Sequence, residues 1–153
     1  MASLHYLTVQ DILWINLQVT KKVQHFNYAR LEEAVFYQYA YGESSTLFPQ
    51  AARFVSGFLR MHPFEAGNEA TALAGCLAFL QINGYATKDG ADIGKWFGRV
   101  KSKEIDGAAA VEAIAEPDPE AHHGPVPDVH GVVAEILALC AHVIQSLSES
   151  AAA

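Results

Sequence analysis

The sequence predicts a single all-α domain, and three observations carry this prediction. The chain has 153 residues, a length that suits one domain with a sizeable core. Hydrophobic residues make up 51% of it and charged residues 18%, which is typical of a globular protein. Apolar residues recur at helical spacing almost throughout, and the only strands expected are a short hairpin around residues 39–45.

The charge and the apolar patterning exclude several classes of protein. The formal net charge of −7 argues against a nucleic-acid partner, which requires a basic face. The opening MASLHYLTVQD lacks the basic flank and apolar run of a signal peptide, and no apolar run is long enough to span a bilayer. Cys76 and Cys140 lie in apolar helical patterns, so we expect buried free thiols and a cytoplasmic location.

Capping signals and apolar periodicity define the first two helices. Thr8, with Asp11 three residues later, is a capping-box signal for a helix that reaches about Val19. The segment ARLEEAVFYQYA (29–40) predicts a second helix, and Gly42 follows as a break. The predicted apolar face of this helix comprises Leu31, Val35 and Tyr39.

Two further helices flank a short polar turn. Pro49 suits the first turn of a third helix that runs to Met61. Its predicted buried face comprises Ala51, Phe54, Val55, Phe58 and Leu59. The segment NEATALAGCLAFLQING (68–84) is apolar nearly all round, which is typical of a helix at the centre of a domain. Asn83 and Gly84 then provide a C-terminal stop.

The remainder of the chain predicts two short helices, a linker and a last helix. One helix covers about 92–101, and a shorter one follows Asp106. Residues 117–127 hold four of the six prolines and predict a linker. This linker separates a core of residues 1–116 from a C-terminal helix over 128–149.

The last helix carries a narrow apolar seam. Asp128 is its predicted N-cap. The seam alternates spacings of four and three and comprises Val129, Val133, Ile136, Cys140, Val143 and Leu147. Such a seam packs on its own domain, on a second subunit in a homo-oligomer, or on a partner.

Histidines and acidic residues in and near the linker are candidate metal ligands. They are His122, His123, His130, Asp118, Glu120 and Asp128. Their spacing matches no closed tetrahedral template, so no metal site is predicted there.

The turn in RMHPFEAGNEATALAG (60–75) carries the residues with the clearest chemistry. His62 can act as a general base near neutral pH. Gly67 allows close approach to the backbone, and Asn68 can cap the helix or bind an anion. Phe64 can insert into the core and fix the turn. Since helix N-termini carry unpaired N–H groups and partial positive charge, an anion site and a plain helix cap both remain open.

The stretch HPFEAGNEATALAGCLAFLQINGY (62–85) resembles the signature of the Fic/Doc (death-on-curing) family, His-x-Phe-x-(Asp/Glu)-(Gly/Ala)-Asn-(Gly/Lys)-Arg. The matching residues are His62, Pro63, Phe64, Gly67, Asn68, Thr71, Ala72, Phe79, Leu80, Asn83 and Gly84. Segments 6–16, 47–64 and 91–114 are similar to other helices of Doc-like members, so the resemblance covers about residues 6–116.

This resemblance implies a compact helical bundle with the active-site loop between two central helices. The predicted C-terminal helix over 128–149 lies outside the resemblance and is an extra element. Fic members transfer AMP or a related group from a nucleotide to a protein hydroxyl. Doc toxins phosphorylate a translation factor with ATP, and a small antitoxin silences them. An active protein would therefore use ATP or another nucleotide with Mg²⁺, whereas an inactive one would need no cofactor.

The resemblance also implies a role for each matched residue. His62 would activate the target hydroxyl, Gly67 and Asn68 would belong to the anion hole, and Phe64 would be structural. The segment YQYAYGESS (37–45) falls where family members place a flap that aligns the target protein.

Three positions depart from the signature. Ala66 stands where the family has the Asp or Glu that helps to hold Mg²⁺. Glu69 stands where Doc toxins have Lys and most Fic enzymes have Gly, and Ala70 stands where the family has a phosphate-binding Arg. Loss of one charge-assisted contact costs about 1.5–3 kcal/mol. Glu65 is one residue from the metal position, but such a shift in a tight turn points a side chain elsewhere.

Two functions follow from this mixture of kept and lost residues. One is a Doc-like Fic transferase, impaired by the three altered positions, that acts on a protein substrate. The other is a non-catalytic Fic-fold module in a toxin–antitoxin-like system that binds a small antitoxin-like partner. The sequence alone leaves open whether the protein is an enzyme, and it predicts neither a nucleic-acid nor a membrane partner.

Overall fold

The computed structural model describes residues 4–39, 46–103, 107–118 and 127–149. These ranges contain eight helices, namely α1 Val9–Thr20, α2 Tyr28–Phe36, α3 Leu47–Met61, α4 Asn68–Gln81, α5 Ile93–Lys101, α6 Gly107–Ile114, α7 Val129–Leu139 and α8 Ala141–Glu149. They also contain two strands, β1 Tyr85–Thr87 and β2 Ala115–Pro117. The predicted all-α class is confirmed.

Helix α4 forms the centre of the fold. Every residue from Asn68 to Leu80 except Glu69 is buried, and α1, α3, α7 and α8 all pack against this helix. Small residues allow this close approach: a Cβ on Gly75 would lie 3.0 Å from the ring of Phe54 in α3. The prediction of a central helix that is apolar all round is confirmed.

Helix α1 begins with the predicted capping box and runs antiparallel to α4. Thr8 Oγ1 accepts from the Asp11 N–H at 3.0 Å, and Asp11 Oδ2 accepts from the Thr8 N–H at 2.8 Å. Just before α1, the His5 N–H donates to Asn83 Oδ1, beyond the end of α4, at 2.7 Å. Near the other end of α1, Asn16 contacts the start of α4. The C-terminal end of α1 therefore lies beside the N-terminus of α4.

Helix α2 is shorter than predicted because a buried glutamine turns the chain. The helix ends at Phe36, and Gln38 is fully buried. Its side chain accepts from the Leu7 N–H and donates to the Leu7 carbonyl, both at 2.7 Å, while its own carbonyl accepts from Gln50 Nε2 at 2.9 Å. Tyr39, predicted on the apolar face, is consequently partly exposed.

A notch in α3 holds the end of α2. Gly57 has no side chain, and the ring of Tyr37 lies directly over it. Arg53 and Arg60 flank this ring, with guanidinium carbons 5.2 and 5.0 Å from its centroid. Arg60 Nη2 also donates to Tyr37 Oη at 2.6 Å. The contact between α2 and α3 therefore depends on a glycine at position 57.

The small sheet was not predicted. Strands β1 and β2 pair antiparallel, with Tyr85 opposite Pro117 and Thr87 opposite Ala115. Strands of three residues are too short to show the period-two alternation by which strands are recognised in a sequence. The hairpin predicted around residues 39–45 falls largely outside the described ranges.

The helix predicted over residues 128–149 is divided in two, which corrects the prediction of one continuous seam. Helices α7 and α8 meet at Cys140 with a bend of 85°. Because of the bend, α7 packs on α4 and buries Val133 and Ile136, while α8 turns to bury Ile144. No single described helix is long and apolar enough to cross a membrane; α7 and α8 meet that test only as a bent pair.

Both cysteines are buried free thiols, as predicted. Burial raises the pKa of the Cys76 thiol to about 12, and it also raises the pKa of Cys140. Since the thiolate is the reactive form, neither cysteine is an activated nucleophile at neutral pH.

The notch at Gly57 leads to a stability prediction. Gly57→Ala gains helix propensity, but its Cβ collides with the Tyr37 ring, so we expect a net loss of about 1–2 kcal/mol in the free energy of unfolding. Urea denaturation measures this loss. Ser56→Ala, at the exposed neighbouring position, is the control and should change stability by less than about 0.5 kcal/mol. Equal stability of the two variants would show that a Cβ at position 57 does not collide with the Tyr37 ring.

Candidate active site

The predicted site residues lie in the loop between α3 and α4 and in the first turn of α4, and the backbone of the loop is tied to the segment that follows α1. The Asn27 N–H donates to the Pro63 carbonyl, and the Glu65 N–H donates to the His25 carbonyl, both at 2.9 Å. These two bonds form a one-residue antiparallel bridge centred on Phe64. The loop is therefore held by backbone pairing.

Phe64 anchors the loop in the core, as predicted. Its side chain is buried, and its ring centroid lies 5.9 Å from that of Phe26 and 6.4 Å from that of Phe58. The aromatic cluster joins the loop to α3 and to the segment after α1.

Asn68 fixes the loop from inside. Its side chain is fully buried at the first position of α4. Asn68 Oδ1 accepts from the Phe64 N–H at 3.0 Å, and Asn68 Nδ2 donates to the Phe64 carbonyl at 2.8 Å. The side-chain amide thus satisfies two backbone groups that burial would otherwise leave unpaired. Only the backbone of Asn68 is left to meet an anion, so its predicted anion-binding role stays a prediction.

Asn16 is a second buried amide at the loop, and sequence reasoning missed it. Asn16 Nδ2 donates to the Ala66 carbonyl at 3.0 Å and lies 3.1 Å from Thr71 Oγ1. One signal was available: Asn16 is a polar residue on the apolar face of α1. The other buried residues of that face are Ile12, Ile15 and Val19.

Gly67 lies at the N-cap of α4, in a conformation that would strain any residue with a side chain. Its φ is 81°, and an added Cβ would collide with the methyl group of Thr20. The first backbone bond of α4 runs from the Thr71 N–H to the Gly67 carbonyl at 2.9 Å. The N–H groups of residues 68–70 therefore have no partner within the helix and give its end partial positive charge, and of these residues Asn68 and Ala70 are fully buried. This is the position at which an anion hole is predicted.

His62 is the C-cap of α3 and the first residue of the loop that leads to this helix end. Its φ of 47° is left-handed, which is unusual for a residue other than glycine. Its N–H donates to the Phe58 carbonyl at 3.0 Å, and its side chain is exposed. Arg30 Nε donates to the Met61 carbonyl at 2.7 Å and fixes the residue before it. A base at this position is reachable from solvent.

The three altered signature positions have different surroundings. Ala66 is half-buried, and its carbonyl is occupied by Asn16. Ala70 is fully buried in the core. Glu69, whose side chain is 27% exposed, forms an ion pair of 2.8 Å with Lys101, the last residue of α5. The helix end therefore carries a carboxylate from the chain itself, neutralised by a lysine 32 residues later.

Among the candidate metal ligands, His130 and Asp128 have structural roles. His130 stacks on Trp14 with ring centroids 3.9 Å apart, and Asp128 caps α7 by accepting from the Gly131 N–H at 3.0 Å. The described part of the chain contains no group of three or more His, Cys, Asp and Glu side chains placed to hold a metal ion. Glu120, His122 and His123 lie outside the described ranges.

The buried amide of Asn68 leads to a prediction about the loop. In Asn68→Ala, the backbone N–H and carbonyl of Phe64 lose their partners, so we expect a loss of about 2–4 kcal/mol in the free energy of unfolding. Asn27→Ala removes only an exposed N-cap of α2 and should cost about 1 kcal/mol. Chemical denaturation compares them, and equal losses would show that the Asn68 contacts do not fix the loop.

The backbone of His62 leads to a second prediction. Glycine adopts a left-handed conformation without the steric penalty of a Cβ, so His62→Gly should raise the free energy of unfolding by about 1 kcal/mol. His62→Ala keeps the Cβ and should show no such gain. Thermal unfolding of the two variants tests this. A lower melting temperature for His62→Gly would mean that the imidazole itself stabilises the fold.

Comparison with known families agrees with this arrangement. The model of the Fic/DOC family matches residues 3–80, about half of the chain and all of the loop. Comparison with curated proteins and with solved structures gave no match. The matched region contains α1 to α4, including both buried asparagines and His62. The chain belongs to the Fic/DOC family.

Proposed function

We propose that this protein is a Fic-type transferase, of reduced activity, that moves AMP or phosphate from a nucleotide to a protein hydroxyl. The carrying observation is the placement of His62. An exposed imidazole follows α3 in a left-handed conformation, on the loop that leads to the N-terminus of α4 and that two buried asparagines hold in place.

Such a transfer needs a base that accepts a proton and a helix N-terminus whose partial positive charge binds the phosphates. His62 would remove the proton of the target hydroxyl, whose oxygen forms a bond to phosphorus. Attack at the α-phosphorus of ATP releases pyrophosphate and transfers AMP. Attack at the γ-phosphorus releases ADP and transfers phosphate. The partial positive charge of the α4 N-terminus would neutralise the developing charge.

The loop lacks the carboxylate with which the family signature holds Mg²⁺, because Ala66 stands at that position. Mg²⁺ is usually held by one or two carboxylates together with phosphate oxygens. Position 66 is an alanine whose carbonyl already accepts from Asn16, and the Glu69 carboxylate is paired with Lys101. The proposed transfer therefore relies on His62 and the helix end.

The altered positions account for the reduced activity. An arginine contact to phosphate is absent because position 70 is a buried alanine. Loss of one such contact, about 1.5–3 kcal/mol, lowers the rate by about 10- to 150-fold. The carboxylate of Glu69 adds repulsion toward phosphate at the same helix end.

A second candidate function is a non-catalytic Fic-fold module that binds a partner, such as a small antitoxin-like protein. The observation that favours it is the ion pair between Glu69 and Lys101, since a carboxylate occupies the helix end that would receive phosphate. A cytoplasmic location and an antitoxin-like partner stay predictions.

Label transfer separates the two functions. The protein is incubated with a cell lysate, Mg²⁺ and ATP labelled at the α- or the γ-phosphate. We expect weak transfer to a lysate protein that His62→Ala abolishes, because the variant lacks the base. His25→Ala is the matched control: it removes an exposed imidazole beside the same loop and leaves the backbone bond to Glu65 intact. Absence of transfer, or equal transfer by His62→Ala, would favour the non-catalytic module.

A further inference from the structure

We propose that Lys101 replaces, from helix α5, the cation that the loop signature has lost, and that Glu69 masks it until a polyphosphate chain displaces the carboxylate. This inference rests on the proposed function, because it assigns a phosphate-positioning residue to the same site. The ligand chemistry is a chain of phosphates, as in a nucleoside triphosphate or inorganic tripolyphosphate.

The position of Lys101 carries the inference. Its Nζ lies 2.8 Å from Glu69 Oε1, and Glu69 belongs to the first turn of α4. A lysine from a different helix therefore brings its charge to the helix end at which phosphates are expected. The side chains at positions 66 and 70 carry no charge, whereas the Glu69–Lys101 pair keeps one carboxylate and one cation there.

The ion pair between Glu69 and Lys101 is weak enough for a phosphate chain to replace the carboxylate. The Lys101 and Glu69 side chains are 36% and 27% exposed, and ion pairs with this exposure contribute little to stability. A phosphate chain carries more negative charge than one carboxylate and offers more acceptor oxygens, so it competes well for the same amine. Lys101 Nζ also lies 5.9 Å from the centroid of the Phe97 ring, which limits the directions in which the amine can move.

The structure also leaves room for a ligand beside Lys101. A cavity of about 330 Å³ lies between α5 and α8, and its wall includes Phe97, Gly98, Lys101, His142 and Ser146. This volume is at the lower end of the range for small-molecule sites. A ligand whose phosphates reach Lys101 can therefore extend into this cavity.

A simpler account is that the pair only fastens α5 to α4. Each charge lies at the helix end that it stabilises, Glu69 at an N-terminus and Lys101 at a C-terminus. The two accounts differ in what happens when Glu69 loses its charge. If the pair is a mask, binding of phosphate improves, whereas if it is a fastener, only stability changes.

The test is calorimetric titration of the full chain with tripolyphosphate and, separately, with ATP, both without divalent metal. Glu69→Gln unmasks Lys101 and should bind both ligands at least about threefold more tightly than the unmodified protein. Lys101→Met should weaken binding, and adding it to Glu69→Gln should remove the gain. A gain with ATP alone would mean that the base, and not the phosphate chain, is recognised, and would overturn the inference.

Two control variants guard against a general charge effect. Glu65→Gln removes the same charge from an exposed position of the loop, and Lys95→Met removes a cation from an exposed position of α5. Neither should alter binding. An equal gain in Glu65→Gln, no gain in Glu69→Gln, or a gain that survives Lys101→Met would overturn the inference.

The outcomes separate this inference from the proposed function. A gain in phosphate affinity that depends on Lys101, without label transfer that depends on His62, would support the phosphate site and overturn the proposed transferase function. Transfer that depends on His62, with phosphate binding indifferent to Lys101, would support the transferase and overturn the role of Lys101.

Discussion

The two hydrogen bonds between the Asn68 side chain and the backbone of Phe64 are the contact on which the rest of the site depends. They hold the loop against the first turn of α4, so that Phe64 can enter the core and its neighbours can pair with residues 25–27. With the loop fixed in this way, His62 at its start and the N-terminus of α4 at its end keep constant positions relative to each other. The same contact therefore places His62 and the helix end.

Local signals predicted much of the fold, and contacts distant in sequence account for what was missed. The capping box of Thr8 and the central position of α4 follow from residues within a few positions of each other. The bond from Asn16 to the Ala66 carbonyl spans 50 residues, and the pair between Glu69 and Lys101 spans 32. No periodicity or spacing reports such contacts. The break between α7 and α8 was missed because neither proline nor glycine marks it, and because both helices pack on α4, so the apolar spacing continues across the bend.

The structure divides the signature into residues that shape the loop and residues that supply charge. Phe64, Gly67 and Asn68 each have a packing or hydrogen-bonding role that the fold requires whether or not the protein is active. The presence of these three residues therefore indicates that the fold is retained, and it does not indicate whether the protein is catalytically active. At the positions where the signature has charged residues, Ala66 and Ala70 carry no charge, Glu69 pairs with Lys101, and the fully buried side chain at position 70 packs as a methyl group.

His62 belongs to neither group, and this makes it the most informative residue of the loop. Its φ of 47° is left-handed, a conformation that favours glycine, and its imidazole is exposed. The same conformation is found at Lys21, the C-cap of α1, and at Lys103, so a left-handed residue is a recurrent way of ending a segment in this chain. What sets His62 apart from these two lysines is its place on the loop between α3 and α4, which the family model covers in full. That place, and not the backbone strain, is what supports the proposed function.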